Sequence, residues 1–314
     1  MSDRRRGIPA LAMAVAVAAA VLAAGGEMSL AQETSPASAA AEAVRALQTL
    51  SGNTSLLVLE DGRELAAYRA GTPMAVGSSF KMALALTLRK QIEAGKHRWT
   101  EVVRVKPIWK VPGGVLFPWP DGTPMTLEML AGFMISKSDN TGTDSILHIV
   151  GRRNAEAYTG RNRPLLSTHD LYFFRDLRNR AWIERYRRGT EAQRRAILDA
   201  IQDRPLDVVN GVYIDSPHDF DIEWHFTNRE LCGLIGQVAD LPIMGIVAHG
   251  VDKSEWKQIA FKGGSEPGIL SGTYSLTNKA GRTYCVSFSW NNPRELVDAG
   301  AILPILGKLF AALK

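Results

Sequence analysis

Ser78 and Lys81 lie at the start of a predicted helix, and their spacing constrains the fold more than any other feature of the sequence. The apolar run 82–86 follows directly, and a spacing of three residues places both side chains on one helix face, one turn apart. A serine becomes nucleophilic when an adjacent base takes its proton, and a desolvated lysine is such a base. Ser79 has Met82 three residues on and lacks this partner. Ser78 is therefore the candidate nucleophile, although an ordinary serine-capped helix start shows the same pattern.

The N-terminal residues have the pattern of an export signal. Arg4-Arg5-Arg6 precede an apolar run over residues 8–24, and Ser29-Leu30-Ala31 fits a small-x-small cleavage site. The run is Ala-rich and short for a membrane span, which favours cleavage near Ala31 over an uncleaved anchor. We expect a signal peptide over residues 1–31, a flexible Ser/Ala/Pro-rich leader over residues 32–41, and a periplasmic or secreted protein without stable membrane insertion.

Charge and cysteine usage narrow the function classes further. The formal net charge is +5, which is mildly basic, and no DNA-binding motif accompanies it, so no nucleic-acid partner is expected. The six histidines show no His-x-x-x-His or similar spacing, so no metal site is expected. Export would permit a disulfide between Cys232 and Cys285, but the sequence cannot show that they meet, and two separate buried thiols are favoured.

Hydrophobic patterning predicts helices arranged around antiparallel strands. Strands are predicted over residues 55–59, 64–68, 257–262, 269–276 and 283–290, with a hairpin turn at Asp61-Gly62. Helices are predicted over residues 41–50 and 297–313 and after Ser78, Thr126 and Thr227. This order predicts an α/β (α+β) sandwich, in which an antiparallel sheet is flanked by N- and C-terminal helices and joined by an all-α subdomain.

The middle of the chain differs in composition from the rest. Residues 152–204 contain thirteen arginines and seven acidic residues in helical patterning. A solvated arginine-rich face is the favoured interpretation, and a docking surface for an anionic lipid or cell-wall polymer is the alternative. We predict an inserted helical region over about residues 152–222, within one domain that spans residues 42–314.

Three motifs occur in order along the chain. They are Ser78-x-x-Lys81, Ser138-Asp139-Asn140 at the end of a predicted helix, and Lys262-Gly263-Gly264 at the end of a predicted strand. Their order and separation resemble the serine β-lactamases and penicillin-binding proteins. Tyr68-Arg69-Ala70, and Met125-Thr126-Leu127 through Thr141, resemble the class A β-lactamases in particular. The resemblance covers about residues 45–150 and 225–314 and implies the fold of that superfamily, without a cofactor.

The resemblance also implies a role for each matching residue. Ser78 would attack a carbonyl, Lys81 would take its proton, and Ser138 would hand a proton to the leaving nitrogen. The oxyanion would lie between the backbone N–H groups of Ser78 and Ser265. Substrate would be held by Asn140, Lys262, Gly264 and Ser265. The implied substrate is a small β-lactam or a peptidoglycan-like molecule.

Gly263 departs from the family pattern at the third motif. It replaces the usual threonine or serine, and Ser265 and Thr273 are the open alternatives for the missing hydroxyl. No Glu-x-x-Leu-Asn is present in the middle region, where class A enzymes position the water that hydrolyses the acyl-enzyme. Glu156, Asp215 and Glu223 are candidates by position alone, each more readily explained as a surface acid.

We therefore predict an exported, monomeric, class A-like serine β-lactamase that acts through a Ser78 acyl-enzyme. An esterase or peptidoglycan peptidase with the same residues is the first alternative. A penicillin-binding protein with impaired deacylation is the second, because the motif that would supply the hydrolytic water is missing.

Overall fold

The computed structural model describes residues 35–207, 211 and 215–314 of the chain. The predicted signal peptide and residues 32–34 of the predicted leader lie outside this part. Its helices are α1 (Pro36–Gln48), α2 (Lys81–Glu93), α3 (Leu127–Ser136), α4 (Asn140–Val150), α5 (Arg152–Ala155), α6 (Thr168–Arg175), α7 (Arg180–Arg188), α8 (Glu191–Ile201), α9 (Asn228–Gly236) and α10 (Ala299–Leu313). Its strands are β1 (Asn53–Glu60), β2 (Arg63–Tyr68), β3 (Met74–Ala75), β4 (Val102–Arg104), β5 (Pro124–Thr126), β6 (His225–Phe226), β7 (Trp256–Glu266), β8 (Ile269–Asn278) and β9 (Thr283–Asn291).

Five strands form one antiparallel sheet in the order β2-β1-β9-β8-β7. Successive side chains of β1 point to opposite faces, as the period of two requires. Leu56 and Val58 join the apolar cluster that includes α1 and α10, whereas Leu57 joins Cys232 of α9 on the other face. The sheet is therefore buried on both sides, and β2 and β7 are its edges.

The two layers that cover the sheet have separate apolar cores. Ala40 and Leu47 of α1 pack with Leu306 and Phe310 of α10 on one face. The helical layer on the other face, which includes α2, α3, α4 and α6 to α9, forms the second core. This arrangement confirms the predicted sandwich of an antiparallel sheet, terminal helices and an all-α subdomain. Among the described residues, no helix is both long and apolar enough to cross a membrane.

The predicted flexible leader is wrong for residues 36–41, because α1 begins at Pro36. The Ser35 hydroxyl caps the helix by accepting a hydrogen bond from the Ser38 N–H at 3.2 Å, and proline is favoured in the first helical turn. Ala39 and Ala40 are buried against the sheet. The small side chains that led to the prediction of a flexible leader therefore form the face by which α1 packs on the sheet.

Ion pairs hold the arginine-rich region together. Arg187 pairs with Asp219 and Asp221, and Arg195 pairs with the buried Glu156 at 2.6 Å. The arginines of this region that form ion pairs are Arg152, Arg161, Arg175, Arg178, Arg180, Arg187, Arg188 and Arg195. Several of these side chains are largely buried, so the favoured prediction of a solvated arginine-rich face does not fit them. They join helices and loops of the same chain.

Cys232 of α9 and Cys285 of β9 form a disulfide with their Cα atoms 5.9 Å apart. The prediction of two separate thiols is therefore wrong. The two cysteines are 53 residues apart in sequence, and they meet because α9 packs across β8 and β9. Local sequence patterns carry no information about that contact.

Replacing both cysteines with serine is expected to lower the free energy of unfolding by about 2–4 kcal/mol, because a crosslink over a loop of this length removes entropy from the unfolded chain. Urea denaturation of the Cys232→Ser/Cys285→Ser protein and of the wild type measures the difference. Reduced wild-type protein should denature at the same urea concentration as the double variant. Equal midpoints for oxidised wild type and the variant would contradict the disulfide.

Candidate active site

Ser78 lies in a 3-10 turn, Gly77–Phe80, that runs into α2. The sequence predicted an α-helical start here, and the tighter turn differs from that prediction. Gly77 has a φ of +48°, in the left-handed region that glycine adopts at little cost. Phe80 stacks on Trp224 with ring centroids 3.9 Å apart. The turn, hereafter the nucleophile turn, is therefore fixed at both ends.

The two adjacent serines have different environments. Ser79 is fully buried, and its hydroxyl lies 2.7 Å from that of Ser271 on β8. Ser271 in turn donates to the Val76 carbonyl at 2.7 Å, so Ser79 anchors the turn to the sheet. Ser78 is half-buried. Of the two serines, Ser78 is therefore the more exposed.

Lys81 is fully buried at the start of α2. Its ammonium donates to the Ser138 carbonyl at 2.6 Å and to the Asn140 side-chain oxygen at 2.8 Å, and it lies 3.4 Å from the Ser138 hydroxyl. Burial lowers the pKa of Lys81 to about 8, against the opposing effect of nearby carboxylates, of which Asp139 has the largest. The first and second motifs therefore meet at a lysine that is partly neutral near physiological pH.

The second motif is held by an aspartate at a helix start. Asp139 caps α4 by accepting from the Gly142 N–H at 2.8 Å and also accepts from the Leu116 N–H at 2.9 Å. Ser138 has a φ of +54°, a conformation that costs energy for a non-glycine residue and is common at functional sites. This backbone directs Ser138 and Asn140 toward Lys81.

Lys262 approaches the same serine from the sheet. Its side chain is buried on β7, and its ammonium donates to the Ser138 hydroxyl at 3.0 Å and to the Gly263 carbonyl at 2.5 Å. Burial and the charge of Lys81 lower its pKa well below the ordinary range. The Ser138 hydroxyl therefore lies between two buried amines.

The outer edge of β7 lies against the nucleophile turn. A Cβ added to Gly264 would lie 2.6 Å from the Ser78 nitrogen and 2.7 Å from the Ser79 nitrogen. A Cβ added to Gly77 would lie 3.1 Å from the Ser265 nitrogen. The backbones that carry the Ser78 and Ser265 N–H groups are thus in close contact. The structure brings together all the predicted site residues: Ser78, Lys81, Ser138, Asn140, Lys262, Gly264 and Ser265.

Phe261 explains why position 263 is glycine. A Cβ on Gly263 would lie 2.8 Å from the Phe261 Cζ, so the phenyl ring would have to shift to admit a side chain there. Thr273 is fully buried, and its hydroxyl lies 3.0 Å from that of Ser287, which leaves it unsuited to replace the missing hydroxyl. Ser265 is exposed and is therefore the remaining candidate to supply the hydroxyl that is missing at position 263.

The acidic residues suggested by position have other partners. Glu156 is buried, accepts from the Leu165 N–H at 3.0 Å and pairs with Arg195. Glu223 is fully buried, pairs with Arg175 at 2.5 Å, and accepts from the backbone N–H that follows it. The expectation that these two are surface acids is wrong, because arginines compensate their burial. Asp215 is exposed.

The ion pairs affect the two buried glutamates differently. Burial would raise the pKa of Glu156, but Arg195 and a backbone N–H outweigh it and lower that pKa. For Glu223 burial prevails over Arg175 and raises the pKa to about 7. Among the described residues, no three His, Cys, Asp or Glu side chains are grouped to hold a metal ion.

Helix α6 contributes residues that sequence reasoning missed. Arg175 pairs with Glu266, which directly follows Ser265. Tyr172 approaches Asn140, because a Cβ on Gly113 would lie 3.0 Å from the Tyr172 hydroxyl and 2.7 Å from the Asn140 Nδ2. Both side chains lie in the arginine-rich region, and the helical patterning of that region gave no sign that it borders the motifs.

The sequence of this chain matches known β-lactamases over part of its length. The model of the beta-lactamase enzyme family matches residues 37–187. Beta-lactamase VEB-1 from Pseudomonas aeruginosa is 24% identical over 210 residues, which are 65% of this chain and 63% of VEB-1. The chain therefore spans less than two thirds of that relative.

Solved structures share the fold over most of this chain. A β-lactamase from Sphaerobacter thermophilus superposes with a TM-score of 0.61 at 18% identity, covering 88% of this chain and 95% of its own. A mutant of PBP-A, solved as an acyl-enzyme complex with penicillin G, gives a TM-score of 0.59 at 14% identity and covers 88% and 96%. At such identities the likeness concerns the fold alone. The family match, the relative VEB-1 and the shared fold are consistent with the serine β-lactamase and penicillin-binding protein superfamily.

Proposed function

We propose that this chain is an exported serine hydrolase of the class A β-lactamase type, which opens β-lactam rings through an ester to Ser78. The observation that carries the proposal is the contact between Lys81 and Ser138 beside an accessible Ser78. Burial lowers the pKa of Lys81 to about 8, which suits it to accept a proton near neutral pH.

The acylation step uses these residues in sequence. Lys81 takes the proton of Ser78, whose oxygen bonds to the lactam carbonyl carbon, and the oxyanion is bound by the N–H groups of Ser78 and Ser265. The carbon–nitrogen bond then breaks, and the Ser138 hydroxyl gives its proton to the nitrogen. Ser138 regains a proton from the Lys81 ammonium, which lies 3.4 Å away.

Charge favours an anionic substrate at this site. In the described part of the chain, neither the Lys81 nor the Lys262 ammonium forms an ion pair with a carboxylate, although both are buried. A substrate carboxylate beside Lys262 would compensate the positive charge that burial makes costly. This is the charge of penicillins and of peptide C-termini.

A penicillin-binding protein with slow deacylation is the second candidate. Arg195 and a backbone N–H lower the pKa of Glu156, which makes that carboxylate a weak base for activating water. The Glu223 side chain is 0% exposed and is bound to Arg175. Acylation can then proceed while hydrolysis of the ester is slow. A mutant of the structural neighbour PBP-A was solved as an acyl-enzyme complex with penicillin G.

Time-resolved intact mass spectrometry of the mature protein with benzylpenicillin tests both candidates. The wild type should gain the full mass of penicillin, and Ser78→Ala should gain none. Turnover with little standing adduct would support the hydrolase, whereas a persistent adduct would support the second candidate. Absence of both adduct and turnover in the wild type would overturn the β-lactam proposal.

A further inference from the structure

Arg175, the last residue of α6, is bound between two carboxylates. Its guanidinium donates to Glu223 Oε1 at 2.5 Å and to Glu266 Oε2. The Arg175 side chain is 11% exposed and that of Glu223 is 0% exposed. One side chain therefore joins the arginine-rich region, the segment before β6 and the end of β7.

Both carboxylates border the residue that precedes Ser78. β3 and β6 pair with Ala75 opposite His225, and the Val76 N–H donates to the carbonyl of residue 224 at 3.0 Å. This register places Glu223 alongside Gly77. Glu266 also lies near Gly77, since a Cβ on Gly77 would lie 3.5 Å from the Glu266 Cγ.

The end of β7 needs support from outside the sheet. β7 is an edge strand, and its last two residues pair with the first two of β8, Ile269 and Leu270, in a short hairpin. Hairpin ends at sheet edges have few backbone partners. The Arg175–Glu266 pair ties this end to the neighbourhood of the nucleophile turn.

We propose that Arg175 is a positioning residue for acyl transfer: by binding Glu223 and Glu266 together, it holds the Ser265 N–H beside Ser78 at the place where the oxyanion forms. The inference rests on the proposed function. Without Arg175, the Glu266 side chain, which is 23% exposed, would lose its link to α6 and to Glu223, and Glu266, with Ser265 before it, would move away from the turn.

Removing Arg175 would also change the pKa of Lys81 by an electrostatic effect. Glu266 is one of the carboxylates whose charge opposes the lowered pKa of Lys81, and Arg175 neutralises much of that charge. Removing Arg175 should therefore raise the pKa of Lys81 and move the pH midpoint of acylation upward. Within the described residues, the charges that act on Lys81 include those of Asp139, Asp144 and Glu266, and Lys262 of β7 interacts with it as well.

The test compares Arg175→Met and Arg175→Lys with Arg178→Met as the matched control. Arg178 lies three residues on, pairs with Asp176 and Asp207, and is 44% exposed. For each protein, the first-order rate of acylation by benzylpenicillin is measured together with the dissociation constant of the complex that precedes it. Amide hydrogen exchange is measured over residues 262–268.

Arg175→Met should slow the acylation step about 10- to 100-fold, because displacing an oxyanion donor costs somewhat less than removing it. The dissociation constant should change little, and the Ser265 amide should exchange faster. Arg175→Lys should restore part of both properties. Arg178→Met should match the wild type in rate, pH midpoint and exchange.

Two results would overturn the proposal. One is an Arg175→Met protein with acylation within twofold of the wild type and unchanged exchange at Ser265. The other is an equal loss in Arg178→Met, which would indicate general loosening of the region. Should Arg175→Met fail to fold, Glu266→Gln tests the same link. Should the wild type not react with penicillin, the proposed function fails, and the exchange data still decide the positioning.

Discussion

Lys81→Met is expected to slow acylation of Ser78 about a thousandfold, the range typical of losing a general base. Methionine fills a volume similar to that of lysine but cannot take the serine proton. Lys81 is fully buried and hydrogen-bonded to Ser138 and Asn140. A water molecule therefore has poor access to take over its role as the base. The measurement is the second-order rate of adduct formation with benzylpenicillin, by intact mass.

The pH dependence of acylation follows from the same lysine. Burial lowers the pKa of Lys81 to about 8, so the neutral amine, which is the base, is the minor form below that pH and the major form above it. The wild-type rate should rise about tenfold per pH unit below the pKa and level off above it. The methionine variant should show no inflection there.

Lys81→Arg distinguishes a base from a fixed charge. Arginine keeps the positive charge but is not deprotonated in proteins, so this variant should be as slow as Lys81→Met. An arginine variant that forms the adduct at nearly the wild-type rate would contradict the role of Lys81 as base. Thermal unfolding should be measured for both variants, since Asn140 and the Ser138 carbonyl each lose a buried donor.

Ser78 and Lys81 were predictable from sequence because their relation is local. A spacing of three residues fixes two side chains on one side of a turn whatever the rest of the chain does. The strands of the sheet were predictable for the same reason. The prediction ended the third-motif strand at Lys262, yet pairing with β8 continues to Glu266, where β7 meets the nucleophile turn.

Arg175 shows where sequence reasoning ends. It is one of thirteen arginines in residues 152–204, and its carboxylate partners are 48 and 91 residues away. Cys232 and Cys285 are likewise 53 residues apart. Contacts of this kind depend on the packing of whole elements. The helical patterning of residues 152–204 gave no sign of what the last residue of α6 binds.

Gly264→Ala is expected to reduce acylation at least about a hundredfold, as the loss of an oxyanion donor does. Its Cβ would lie 2.6 Å from the Ser78 nitrogen and 2.7 Å from the Ser79 nitrogen, and nearer still to the Val76 carbonyl oxygen. These are backbone atoms, which cannot rotate away as the end of a side chain can. β7 and the nucleophile turn must therefore separate, and the Ser78 and Ser265 N–H groups no longer converge.

Gly307→Ala in α10 is the matched control, because a Cβ there meets nothing within 4 Å and alanine favours a helix by about 0.5–1 kcal/mol over glycine. It should leave the acylation rate unchanged and the melting temperature equal or higher. A folded Gly264→Ala protein with the wild-type rate would contradict the need for this close contact. Since both variants add the same methyl group, a loss confined to Gly264→Ala assigns the effect to the contact between β7 and the nucleophile turn.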